Sequence, residues 1–160
     1  MDSDGSADHL FTNIDESYAS AWSSNAPYVV FRAKQSNGPS RIFLQNLDGT
    51  IQYPLPTEIP EGYDNDWSPD GQWIAFTSAD SHRGIATVRI DGTNLRQLTK
   101  MGTAAEGNNW YPTWSPNGQR LAFSSDRGGK SGIYIMNADG TDVHCIACGP
   151  NNSESPTWQP

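Results

Sequence analysis

One tryptophan recurs along this chain at nearly constant spacing. Trp22, Trp67, Trp114 and Trp158 stand 45, 47 and 44 residues apart. Each sits in a variant of one turn: SAWSSNA, NDWSPDG, PTWSPNG and the closing SPTWQP. Two more landmarks keep the same register. A phenylalanine (Phe31, Phe76, Phe123) follows nine residues after each of the first three tryptophans, and an Asp-Gly-Thr closes each copy at Asp48-Gly49, Asp91-Gly92 and Asp139-Gly140. Units of this length cannot bury an apolar face alone, so repetition demands that neighbours stack.

Within a copy every element reads as a strand. YVVFRA, WIAFTS and RLAFSS follow the tryptophan turn and are rich in β-branched and aromatic residues that suit a pleated surface. RIFLQNLDG, GIATVRIDG and GIYIMNADG come next, each ending in Asp-Gly, whose glycine accepts the positive φ of a hairpin turn. NLRQLT and DVHCIA then read as short outer strands. With the stretch before each tryptophan, that makes four antiparallel strands per unit, the pattern of a propeller blade. No segment has helical periodicity. The 15 Gly and 11 Pro agree with many short elements and tight turns.

The runs DWSPDGQWIAFTS and IDGTNLRQLT, and their partner TWSPNGQRLAFSSDRGGKSGIYIMNADGT, resemble the WD40-like repeat of the TolB β-propeller family. The first copy is weaker, with SSNAP in place of Ser-Pro-Asp-Gly. The resemblance implies that the stretch ending at the tryptophan is the innermost strand and that Asp-Gly separates the third strand from the outermost. The chain then divides into an outer-strand overhang at about 4–14 (His9 to Thr12 the strand itself), blades at about 15–59, 60–104 and 105–150, and an inner-strand overhang at 151–160. TolB-like propellers have six blades, and three blades cannot close a ring. The expectation is therefore a homodimer of two half-rings joined at two identical junctions. The rival reading is a fragment of a longer propeller.

A net charge of −8 argues against nucleic acid or an anionic membrane surface as partner. No run of 18 apolar residues exists to insert in a membrane. The stretch MDSDGSADHL is acidic and polar, unlike a secretory signal, which leaves the compartment open. Family resemblance implies a periplasmic or secreted protein with cell-envelope proteins as partners.

No GxSxG elbow, HExxH, P-loop or dinucleotide fingerprint occurs. His9, His82 and His144 fall at different positions in their copies and form no symmetric set. In HCIAC, a regular strand points Cys145 and Cys148 to opposite faces, so Cys145 reads as blade core and Cys148 as a free turn thiol. A small disulfide, needing a turn at Cys148-Gly149, or a partial zinc site are the alternatives.

Trp67 and Trp114 read as packing between blades, Trp22, Trp158, Phe31, Phe76 and Phe123 as structural positions of the repeat, and the Asp-Gly pairs as turns. Candidate binding residues lie off the motif, at the start of the inner strands: Tyr18, Tyr63, Asp64, Glu106, Asn108, Trp110, Tyr111 and Glu154. Tyr18, Tyr63 and Tyr111 suggest a ring of tyrosines at one channel mouth. Nearby oxygens, including Asp15, Glu16, Asn65, Asp66, Asn109 and Asn152, are the type that holds a hard cation such as calcium; no other cofactor is implied. The first functional reading is a non-enzymatic binding or scaffold module. The alternative is a hydrolase or lyase acting on a glycan or small ester in the channel.

Overall fold

A computed structural model describes residues 16–23, 25–34, 38–48, 52–55, 62–79, 83–99, 107–149 and 155–159. They form three four-stranded antiparallel sheets, each a meander. Blade 1 contains β1 (Glu16–Trp22), β2 (Tyr28–Lys34), β3 (Ser40–Asn46) and β4 (Gln52–Pro54). Blade 2 contains β5 (Gly62–Trp67), β6 (Trp73–Ala79), β7 (Arg83–Arg89) and β8 (Arg96–Gln97). Blade 3 contains β9 (Asn109–Trp114), β10 (Arg120–Ser125), β11 (Gly132–Asn137) and β12 (His144–Ala147). The outer-strand overhang lies outside the described residues.

Both faces of the middle blade are buried, and period-2 alternation sends different residues to each. Ile74, Phe76, Ala86 and Val88 face blade 1, meeting Val30, Ile42 and Leu44. Ala75 and Ile85 face blade 3, meeting Leu121, Phe123, Tyr134 and Met136. The Phe76 and Phe123 positions thus present large side chains to the preceding blade. Blade 3 receives a smaller surface and fills it with its own aromatics, a large-on-small fit that close packing requires. Phe31, the equivalent in blade 1, stacks on Phe43 at 5.8 Å in a separate cluster with Val29 and Ala33.

The tryptophan turn is held the same way in blades 2 and 3. Ser68 Oγ donates to Asp70 Oδ1 and accepts the Trp73 N–H at 2.9 Å; Ser115 Oγ donates to Asn117 Oδ1 and accepts the Arg120 N–H at 2.9 Å. Serine is needed because one hydroxyl must give and take at once. Gly71 and Gly118 both sit at φ +68°, where a side chain is strained. Blade 1 turns without the Pro-Asp-Gly: Ser23 Oγ accepts from the Asn25 and Ala26 amides instead.

The tryptophan joins blades through its ring nitrogen as well as its surface. Trp67 Nε1 donates to the Ala21 carbonyl at 3.0 Å, and Trp158 Nε1 donates to the Thr113 carbonyl at 3.1 Å. Each acceptor immediately precedes the tryptophan of the blade before. The segment around Trp158 therefore occupies an inner-strand place on blade 3, and Ser155 N adds a bond to Ser124 Oγ. Trp114 departs from this rule: its Nε1 is buried with no partner among the described residues. Trp22 does too, at 63% exposed. Among the described residues no blade precedes Trp22 to cover it.

The cysteines also depart from expectation. Cys145 and Cys148 form a disulfide, and both are exposed. On β12 the pairing passes from Tyr134↔Cys145 to Ile133↔Ala147, leaving Ile146 as a bulge. One extra residue reverses the parity of a strand, so side chains three apart reach each other. Gly132 makes room: a Cβ there would stand 2.8 Å from Cys148 Sγ.

Candidate functional site

The inner strands share a bulge three residues before the tryptophan turn is reached. Pairing shifts between Tyr18 and Ser20 in β1, between Tyr63 and Asp66 in β5, and across Tyr111 in β9. The left-handed residue is Asp64 at φ 51°, Tyr111 at φ 55° and Ser155 at φ 57°, each three before its tryptophan. Non-glycine residues take this conformation at a cost of order 1–3 kcal/mol where surrounding structure enforces it.

The bulge revises the expected ring of tyrosines. Tyr18, Tyr63 and Trp110 pair with Arg32, Thr77 and Ser124, the residues just after the three phenylalanines, and are therefore equivalent. Tyr111 stands one position further, matched with Asp64. The aromatic set is Tyr18, Tyr63 and Trp110, with Tyr111 beside it and 38% exposed. Arg32 lies over the Tyr63 ring, its Cζ 4.1 Å from the centroid, and donates to Ser40 Oγ at 2.9 Å.

Two carboxylates of β5 cross to the next blade. Asp66 Oδ2 accepts the Trp114 backbone N–H at 2.7 Å. Asp64 accepts the backbone N–H of Tyr111 and the Thr77 hydroxyl. Burial holds both carboxyls above the usual carboxylate range, and these same hydrogen bonds pull back against it. Asn108, a candidate at the mouth, is tied to Asp126: its amide N–H and its Nδ2 both donate to that carboxylate. Asn109 is buried and accepts from Arg127 at 2.7 Å. Among the described residues no group of three His, Cys, Asp or Glu is placed to hold a metal. Glu106, Glu154 and Asn152 lie outside the described residues.

The starts of the inner strands thus carry aromatics, a guanidinium stacked on Tyr63 and two partly buried acids that accept backbone donors of the next blade. Matching the chain against known families decides its kinship: the PD40 TolB beta propeller domain matches residues 1–160. The chain belongs to the TolB β-propeller family. The Tol-Pal system protein TolB of Anaeromyxobacter dehalogenans (strain 2CP-C) is 38% identical over 126 residues, covering 78% of this chain and 28% of that protein. The structure of putative TolB from Agrobacterium tumefaciens superposes with a TM-score of 0.81 at 24% identity, over 91% of this chain and 51% of that one. TolB from Acinetobacter baumannii gives 0.67 at 22% identity, over 82% and 32%. This TolB-family chain thus spans about a quarter to a half of the relatives it matches.

Proposed function

We propose that this chain is a non-enzymatic propeller binding module that works at the cell envelope, with the inner-strand mouth as its contact face. The observation that carries the reading is the repeated left-handed bulge, which sets Tyr63, Trp110 and Tyr111 at one end of the inner strands. Large aromatics at a rigid mouth are the residue types that dominate binding energy at protein interfaces. A relative is named for the Tol-Pal system, so the envelope protein Pal is the first partner to test. The Cys145–Cys148 disulfide supports an oxidising compartment such as the periplasm.

Ring completion is part of this reading. Two copies give six blades, and the chain spans 51% of the Agrobacterium propeller. Closure by a second copy places the partner's Trp22 on blade 3, where Trp158 now sits, so one of the two segments must yield. Light scattering after size-exclusion chromatography should give twice 17.5 kDa; a monomer at every concentration overturns the dimer. For the mouth, calorimetry with purified Pal should show binding that weakens at least tenfold in Tyr111→Ala. Absence of binding removes Pal as partner, and undiminished binding by Tyr111→Ala moves the contact elsewhere.

A further inference from the structure

A cleft of about 540 Å³ opens between blades 2 and 3 at the Trp-Ser-Pro end of the inner strands, away from the mouth. The two tryptophan turns border it, one from each blade, and two indoles, Trp73 and Trp114, line it. Trp114 is 8% exposed, and its Nε1–H is the buried donor with no partner among the described residues. Arg96 reaches the same cleft with its Cζ 5.4 Å from the centre of the Trp73 ring. That stacking is a cation–π contact, which holds the guanidinium plane in place.

The polar groups of the cleft are unequal. Asp70 accepts from Ser68 Oγ and the Gln72 amide, and Asp139 accepts from the Thr141 amide and hydroxyl. Both acids accept from their own turns, and Asp139 also feels the charge of Arg96. Arg96 makes no hydrogen bond among the described residues, and neither does the Thr87 hydroxyl that lines the wall. The hydrogen-bonding capacity not spent among the described residues is thus the exposed Arg96 fork beside Trp73 and the Thr87 hydroxyl. A guanidinium fork matches a carboxylate in two parallel bonds.

We infer that this cleft binds a carboxylate carried on an aromatic body. The site is separate from the mouth and stands or falls independently of it. Apolar lining with a few converging polar groups is the usual build of a small-ligand site. The two neighbouring acids repel the ligand, so affinity is weak, with a Kd on the order of 1 mM for a ligand of roughly fifteen heavy atoms.

The test is titration of ¹⁵N-labelled protein with N-acetyl-L-phenylalanine, following the indole N–H resonances of Trp73 and Trp114. Both should shift along one saturating curve, and N-acetyl-L-phenylalaninamide should bind at least fivefold more weakly. Arg96→Gln should erase the difference between acid and amide, while Arg96→Lys, which keeps the charge without the fork, should fall between. Arg96 is exposed on a two-residue strand, so these variants are expected to fold, and spectral dispersion checks it. 3-Phenylpropionate separates the sources: tighter binding of the acetylated amino acid points to a peptide C-terminus, and parity points to a small aromatic acid. Equal binding of acid and amide, or acid binding unchanged by Arg96→Gln, overturns the inference.

Discussion

The ring nitrogen of Trp67 donates to the main-chain carbonyl of Ala21 across the gap between two blades, at 3.0 Å. The motif tryptophan thereby sets the distance between adjacent inner strands as well as filling space between them.

Replacing Trp67 by phenylalanine should lower stability by about 2 kcal/mol, combining the lost hydrogen bond with partial loss of ring volume. The same change at Trp22 should stay within roughly 0.5 kcal/mol, because that ring is largely in water. Urea unfolding of both variants measures the contrast. If two copies close a ring, Trp22→Phe should instead weaken association, visible as a lower mass at low concentration.

Asp66 makes a pH prediction with a definite sign. Burial raises its folded pKa above the ordinary 3.8, and Asp64 shifts the same way. The folded state then holds its protons longer than the unfolded chain, so their contribution is full below 3.8 and is lost as pH rises through the raised values. The shifts of Asp91 and Asp139 run the other way, lowered by hydrogen bonds from Thr93 and Thr141, so their contribution fades as pH falls through the lowered values. Asp66→Asn keeps an acceptor for the Trp114 amide and removes the charge. Melting temperature against pH should lose part of its decline as pH rises above 3.8 in that variant. Asp66→Ala, which strands the amide, should cost about 1–3 kcal/mol at neutral pH.

The repeat made much of this fold legible. Tryptophan spacing and the Asp-Gly turns located three blades and their strand order, because both signals rest on local chemistry. The bulge was not legible, since Asp64, Tyr111 and Ser155 share no side-chain type and none is glycine. In β5 and β9 the left-handed residue falls where the pairing with the second strand shifts, a register that no single segment announces. The match of Trp110 to Tyr63 was legible, since each stands four residues before its tryptophan whereas Tyr111 stands three before. The disulfide was placed second to a buried Cys145 because that strand was taken to be regular: the extra residue at Ile146 changes parity, and sequence alone does not show it.

Gly132→Ala tests that cysteine geometry. Its Cβ would lie 2.8 Å from Cys148 Sγ and 3.0 Å from the Ala147 carbonyl oxygen. The substitution should cost about 1–3 kcal/mol in the oxidised protein. Part of that cost should vanish in a Cys145→Ala, Cys148→Ala background, where the sulfur is gone and the carbonyl remains. A double-mutant cycle with a coupling below roughly 0.5 kcal/mol would mean that the glycine is not there for the sulfur.

Gly71 and Gly118 share a φ of +68° but not their surroundings. An alanine Cβ at 118 would meet Pro69 at an ordinary 3.6 Å, whereas at 71 it would press on Ala26 at 3.2 Å. Backbone strain of about 1 kcal/mol should appear in both variants, with a further increment at Gly71→Ala. Thermal unfolding of the pair separates strain from crowding.

The direction of the tryptophan latch has a consequence for anything that extends this stack. Trp67 and Trp158 each give a donor to the blade behind, and the acceptor is the carbonyl just before that blade's own tryptophan, so the two flanks of the array are opposite in kind. Like flanks cannot mate. Whatever adjoins blade 1 or follows blade 3 must join head to tail, a heterologous contact that repeats without limit unless its rotation returns to the start. Ring or fibre is then decided by a few degrees of twist per blade, summed over the circle.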